Sequence, residues 1–148
     1  MEKLVLFAGG ERALTPALVA QLASHSRSYG IFALVDALGD PGAHKRLAAL
    51  DQLLDLGEPP PKILGMLARQ LRLLIRLKES AGAAPQGTRS LNLPPGVVKK
   101  LGIQAARFSP GALRSHLYLL HQADLHLKTS TGNPRLWLEW ALLKMGPG

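Results

Sequence analysis

The sequence predicts an all-α helical bundle, and three observations carry that expectation. Apolar residues recur at intervals of three and four, the period of one helix face, and no segment alternates with the period of two that a strand requires. Four residue-proline pairs, Thr15-Pro16, Asp40-Pro41, Ser109-Pro110 and Asn133-Pro134, each precede a run rich in Leu and Ala. In each pair the first residue offers a side-chain oxygen to the free N–H groups of a first helical turn, and the proline sits where its missing N–H costs nothing.

Taken in order, Thr15-Pro16 opens a first helix and Ser28, before "YGIFALVDAL", a second, with a candidate domain boundary around His25 to Ser28. Asp40-Pro41 starts a third. The prolines of "GEPPPKILGM" lead into a helix from Pro61 to Glu79. The segment "ESAGAAPQGTRS", Glu79 to Ser90, mixes Gly, Pro, Ser and Gln without periodicity and reads as a mobile connection. Pro94-Pro95 then precedes "GVVKKLGIQAARF", Ser109-Pro110 opens a helix reaching Lys128, and Asn133-Pro134 opens the last. About seven helices are expected, without an internal repeat.

At about 100° per residue, the Pro61–Glu79 helix gathers Ile63, Leu64, Met66, Leu67, Leu71, Leu74 and Leu77 on one broad face and Arg69, Arg72 and Arg76 on the other. The arginine stripe is either a solvated basic face or a contact for phosphates or acidic residues of a neighbouring subunit. Gln70 falls inside the apolar arc and so needs a hydrogen-bond partner. In the Pro110–Lys128 helix, Asp124 lies among Leu113, Leu117, Leu120, Ala123 and Leu127. A carboxylate there needs donors, either Lys128 one turn on or the first N–H groups of the next helix near Asn133. No nucleophile or His shares its face, so it reads as a structural clamp across the "KTSTGNP" turn.

His116, His121 and His126 follow one another at five-residue steps, which rotate each imidazole about 140° from the last, so one metal cannot collect them. The final helix is apolar nearly all round, with Leu136, Trp137, Leu138, Trp140, Leu142, Leu143 and Met145 against only Arg135, Glu139 and Lys144. Such a helix is buried. It forms either the centre of the bundle or a surface for another subunit.

Composition excludes several classes of function. The absence of Cys removes zinc ribbons, disulfide frameworks and thiol catalysis, and fits a reducing cytosol. The apolar run Leu4 to Ala8 is too short for an export signal, and no stretch suits a membrane span, so a soluble cytoplasmic protein is expected. GxxxxGK[ST], dinucleotide-fingerprint, HExxH and GxSxG patterns are all missing, as is any carboxylate cluster for a divalent metal. No catalytic residue, cofactor or metal site is expected. The net charge of +8 favours an anionic partner without choosing among them.

The pieces "YGIFALVDALGD", "LDQLLDLGEPPPKILGMLARQLRLLIRLKE", "LPPGVVKKLGIQAARFS" and "ADLHLKTSTGNPRLWLEWALLKM" stand in the order of a known family. They resemble the C-terminal half of bacterial DNA polymerase III delta subunits, which belong to the clamp loader. The match is carried by Phe32, Leu34, Val35, Asp36 and Ala37, by Leu67, Arg69, Gln70, Arg72 and Leu74, and by Lys99, Lys100, Ala106, Arg107, Phe108 and Ser109. Asp124, Lys128, Pro134, Leu138 and Glu139 complete it.

The resemblance implies a helical collar, an oligomerisation domain, over residues 28–148. Residues 1–27 would be the C-terminal remnant of an AAA+ lid domain, and the AAA+ domain that meets the sliding clamp would be missing. The implied partners are the other clamp-loader subunits, the ATPase subunits and delta-prime. The sliding clamp would be reached only through the missing N-terminal domain, and any contact with DNA would be weak. On this resemblance Trp137 and Trp140 of the last helix and the Arg69, Arg72 and Arg76 stripe become candidate subunit surfaces. Asp124 and Lys128, with Glu139, become a buried brace between the final two helices. Breaking that brace by Asp124→Ala would cost more than about 1 kcal/mol. The competing expectation is a basic helical module that binds nucleic acid directly through Arg69, Arg72, Arg76, Lys99, Lys100 and Arg107.

Overall fold

The computed structural model describes residues 15–81 and 93–146. Among them are six helices and no strand: α1 (Pro16–Leu38), α2 (Ala43–Asp55), α3 (Pro60–Ala81), α4 (Pro95–Ala105), α5 (Pro110–Thr129) and α6 (Pro134–Lys144). The all-α expectation is met. Most of the lid-like segment expected over residues 1–27 lies outside the described residues, as does the expected connection beyond Ala81, whose first residues Glu79 and Ser80 still belong to α3.

Three of the four residue-proline pairs cap helices as expected. Thr15 Oγ1 accepts from the Leu18 N–H at 3.1 Å, Ser109 Oγ from the Ala112 N–H at 3.0 Å, and Asn133 Oδ1 from the Arg135 N–H at 3.0 Å. Asp40-Pro41 does not. Helix α2 begins two residues later, after Gly42 with φ of 93°, and makes no side-chain cap, because the Asp40 carboxylate is engaged by Arg107 and Lys45. The expected start at Ser28 is also absent. Helix α1 runs unbroken for 23 residues, since nothing between His25 and Tyr29 removes a backbone donor and a serine inside a helix costs little.

Helix α1 changes character along its length. Its first half is largely exposed, whereas Ile31, Leu34, Val35 and Leu38 of its second half are buried. The crossing with α2 is close: a Cβ at Gly30 would stand 2.7 Å from the Leu53 side chain, so only glycine fits without displacing it. The turn after α2 uses Gly57 at φ of 89° to reach the prolines that start α3.

Helix α3 is the centre of the bundle and packs against α1, α4, α5 and α6. Of the residues the phase argument placed on its apolar face, Ile63, Leu64, Leu67, Leu71, Leu74 and Leu77 are buried and Met66 is half-buried. Gln70, the polar residue in that arc, donates from Nε2 to Gln104 Oε1 at 3.0 Å, and Gln104 Nε2 donates to the Phe32 carbonyl at 3.0 Å. Gln104 is 1% exposed. One side chain thereby ties α1, α3 and α4 together and satisfies the amide that the sequence left without a partner.

A second buried polar pair is less well satisfied. His116 of α5 and Arg46 of α2 are both buried, and among the described residues neither imidazole nitrogen nor Arg46 Nε or Nη1 has a hydrogen-bond partner. The imidazole stands edge-on to Phe108, with ring centroids 6.0 Å apart. Burial, reinforced by the Arg46 charge, holds His116 below the ordinary imidazole pKa.

Two predictions follow from these groups. Replacing Gln104 by Leu strands the Gln70 amide and should lower stability by about 1–3 kcal/mol in urea unfolding, with the slope unchanged. Because His116 titrates lower folded than unfolded, the unfolded chain binds the extra proton. Its stabilisation is therefore complete above about pH 6.5 and is lost as pH falls through the folded pKa. Unfolding followed between pH 7.5 and 5 should show wild-type stability declining, and His116→Leu should flatten that decline.

Candidate functional site

Helix α6 has two apolar faces with different fates. Leu138, Ala141, Leu142 and, just past its end, Met145 are buried in the bundle. Leu136 and Leu143 are 59% and 54% exposed on the other side, with Trp137 and Trp140 half-buried beside them. Of the two alternatives the sequence left open, the central position belongs to α3, and α6 presents an apolar side outward.

Aromatic contacts hold the outward face together. His126 of α5 stacks on Trp137 with centroids 4.2 Å apart and planes 9° from parallel. Trp140 meets both rings edge-on, at 5.7 Å from His126 and 5.9 Å from Trp137. Lys144 lies over the Trp140 ring at 5.5 Å. Between this cluster and the α5–α6 turn lies an open groove of about 620 Å³, lined by Thr129 to Asn133, Leu136, Trp137 and Trp140. Arg135 fixes the start of α6 by pairing with Glu139 at 3.2 Å on its own helix and with Asp51 on α2. Sequence placed His126 in a histidine series and Arg135 among the polar positions of the last helix, but their contacts with Trp137 and Asp51 join different helices and follow from no periodicity within one.

The Asp124 brace takes a different form from the one expected. Asp124 does pair with Lys128, Oδ2 to Nζ at 2.8 Å, but both residues belong to α5 and the Asp124 side chain is 36% exposed. It lines a recess against Pro61, Leu64 and Gly65 of α3, not against α6. Glu139 belongs to the separate Arg135 pair. The helical phase of Asp124 put it near the apolar face, but at its edge, where the carboxylate reaches solvent and Lys128.

The basic candidates also separate. Arg69, Arg72 and Arg76 are exposed along α3 and form no ion pair with a described residue. Lys99 is exposed on α4, while Lys100 lies over the Phe32 ring at 5.3 Å. Arg107 is a clamp. It donates to the Asp36 carbonyl at 2.9 Å and pairs with the Asp36 and Asp40 carboxylates at 2.8 and 2.6 Å, tying the end of α4 to the end of α1. Its hydrogen bond, assisted by Lys45, holds the Asp40 carboxyl below its ordinary pKa, and the two carboxylates raise that of Arg107. Of the six expected phosphate contacts, Lys100 and Arg107 are thus engaged within the bundle.

The three histidines point into three environments, as their spacing implies. His116 is buried against Phe108, His121 lies between α3 and α5, and His126 stacks on Trp137. Among the described residues, no group of three His, Cys, Asp or Glu residues could hold a metal, and no helix is long and apolar enough to cross a membrane.

The arrangement has known counterparts. The family model for the DNA polymerase III delta subunit, C-terminal domain, matches residues 28–145. The DNA polymerase III subunit delta of Bacillus subtilis (strain 168) is 29% identical over 148 residues, covering 98% of this chain and 43% of the relative. The solved structure of the Bacillus subtilis DNA clamp loader delta protein superposes with a TM-score of 0.74 at 30% identity, covering 92% of this chain and 41% of that one. The chain thus spans less than half the length of the relatives it matches.

The geometry of Asp124 changes the expected cost of removing it. An exposed pair one helical turn apart contributes about 0.3–0.5 kcal/mol, so Asp124→Ala should lower stability by less than about 1 kcal/mol in chemical denaturation, and 1 M salt should shrink the difference.

Proposed function

The chain belongs to the DNA polymerase III delta-subunit family, through the C-terminal domain of that family, and from this we propose that it holds a clamp-loader subunit in its assembly by apolar contacts. Residues 28–148 act as the collar, and residues 1–27 as the end of the lid domain, with the continuous α1 carrying the chain from one to the other. Its partners are the other clamp-loader subunits, the ATPase subunits and delta-prime. The sliding clamp is reached through the N-terminal part of such a subunit. The chain works by assembly and not by catalysis, in the cytoplasm, as part of loading the clamp on DNA during replication.

The observation that supports this reading is the outward face of α6. Leu136, Trp137, Trp140 and Leu143 form an apolar surface in which Trp137 stacks on His126 and Trp140 meets both rings edge-on. A preorganised aromatic face loses little side-chain freedom on association, and aromatic anchors of this kind dominate interface energies. Burying the two exposed leucines would contribute about 1.5–3 kcal/mol each.

Size-exclusion chromatography with light scattering tests the proposal, with the chain mixed with the other clamp-loader subunits of the same organism. Co-elution that survives high salt is expected, because apolar contacts are not screened. Leu136→Glu with Leu143→Glu should abolish co-elution without lowering the thermal midpoint, since neither side chain is in the core. Co-elution unaffected by the double variant would sink the assignment of this face.

A further inference from the structure

Beyond the assembly face, we propose that the groove between α3 and α5 binds single-stranded nucleic acid, through its phosphates and one stacked base. The groove has a volume of about 370 Å³ and is lined by Arg72 of α3 and by Arg114, Leu117, Tyr118 and His121 of α5. It continues into a recess of about 220 Å³ between the same helices, which shares Arg72, Leu117 and His121. This site does not depend on the assembly reading, because none of these residues lies on α6.

The chemistry of the lining selects the ligand. Arg72 and Arg114 are exposed and pair with no described carboxylate, so their charge is available to an anion. The one acidic residue in the adjoining recess, Asp124, is already neutralised by Lys128 at 2.8 Å. Arg76, one turn beyond Arg72 on α3, is likewise exposed and unpaired and extends the cationic line along the groove.

Between these cations stands Tyr118, 61% exposed. Tyr29 of α1 is more open still, at 67%, so exposure alone singles out neither ring; what distinguishes Tyr118 is its place beside Arg72 and Arg114. Gln122 Nε2 donates to the Tyr118 hydroxyl at 3.1 Å, one turn along α5. Half-buried Leu117 belongs to the same groove. An open ring flanked by guanidinium groups is the combination that binds unpaired strands, with arginines on the backbone and a base stacked on the ring.

Duplex DNA fits this lining less well, because its bases are already stacked on one another and cannot use the ring. An acidic peptide would use the two arginines but would gain nothing particular from the flat aromatic face. The phenol therefore decides in favour of an unpaired strand. It also separates this site from the basic set anticipated from sequence, of which only Arg72 and Arg76 take part.

Fluorescence anisotropy on the whole chain tests the site, using labelled oligothymidylate and oligouridylate of about 30 nucleotides, the corresponding duplex, and a glutamate-rich peptide as competitor. Tighter binding of either single strand than of the duplex is expected, the better of the two naming the strand. Arg72→Ala with Arg114→Ala should weaken binding at least about tenfold at low salt and reduce the salt slope by roughly 1.4. Tyr118→Ala should weaken it roughly fivefold or more, and Tyr118→Phe should restore it. All these positions are exposed, so thermal midpoints should stay near wild type and confirm that the variants fold. No binding at low salt, equal binding of the duplex, displacement by the peptide at comparable concentration, or indifference to Tyr118→Ala would each overturn the proposal.

Discussion

The structure depends on one constraint, the unbroken apolar stripe of α3. Ile63, Leu64, Leu67, Leu71, Leu74 and Leu77 are all buried, and the helix that carries them touches α1, α4, α5 and α6. A helix surrounded by four others has only a narrow strip left for solvent. Arg69, Arg72 and Arg76 occupy that strip. Their alignment on the surface is thus a consequence of the core, and α5 packing beside them converts one stretch of the strip into a groove. Gln70, at the margin between stripe and surface, would break the pattern without Gln104, whose amide also reaches the Phe32 carbonyl. That bridge fixes the rotation of α3 relative to α1 and α4 more tightly than leucine packing alone, since hydrogen bonds demand direction and apolar contacts do not.

Much of this architecture was legible in the sequence, and the reason is local. Periodicity fixed which residues of α3 and α5 face inward, and Thr15, Ser109 and Asn133 capped as their chemistry requires, because a cap depends only on residues two or three positions away. Failures occurred where a distant residue intervened or where phase and local composition could not decide. Asp40 resembles a cap until Arg107, far along the chain, takes its carboxylate. Asp124 looked buried because phase alone cannot distinguish the middle of an apolar face from its edge, where a carboxylate reaches both Lys128 and water. Ser28 suggested a start, yet a helix needs a cap only where it ends, and α1 does not end there.

The candidate surfaces were legible in the same uneven way. Trp137 and Trp140 declared themselves by composition, but the stack of His126 on Trp137 required two helices to be brought together. Tyr118 carried no signal of its own. A single tyrosine in an amphipathic helix is unremarkable until the fold sets it between arginines from two helices. Lys100 and Arg107 stood in a basic stretch that invited a nucleic-acid reading, and the fold assigns one to the Phe32 ring and the other to two carboxylates.

Where the excess positive charge resides follows from which carboxylates are already occupied. Asp36 and Asp40 hold Arg107, Asp51 and Glu139 hold Arg135, Glu58 holds Arg27 and Lys62, and Asp124 holds Lys128. Among the described residues only Asp55 and Glu79 stand outside such pairs. These pairs join α1 to α4, α2 to α6, and α1 to the turn before α3, so the acidic residues chiefly serve the geometry of the bundle. A net charge of +8 says nothing about place. Once the acids are committed to the joints, however, the unmatched cations stand on the helix faces between them, Arg69, Arg72 and Arg76 along α3 and Arg114 on α5. The field of such a surface is strongest where two faces meet in a groove with apolar walls, because low-dielectric walls focus it. The α3–α5 groove has that form, whereas the outward face of α6 carries Lys144 over an indole and little other charge. Charge and apolar surface are therefore divided between two faces of one small bundle, and the core stripe of α3 together with the occupied carboxylates is what divides them.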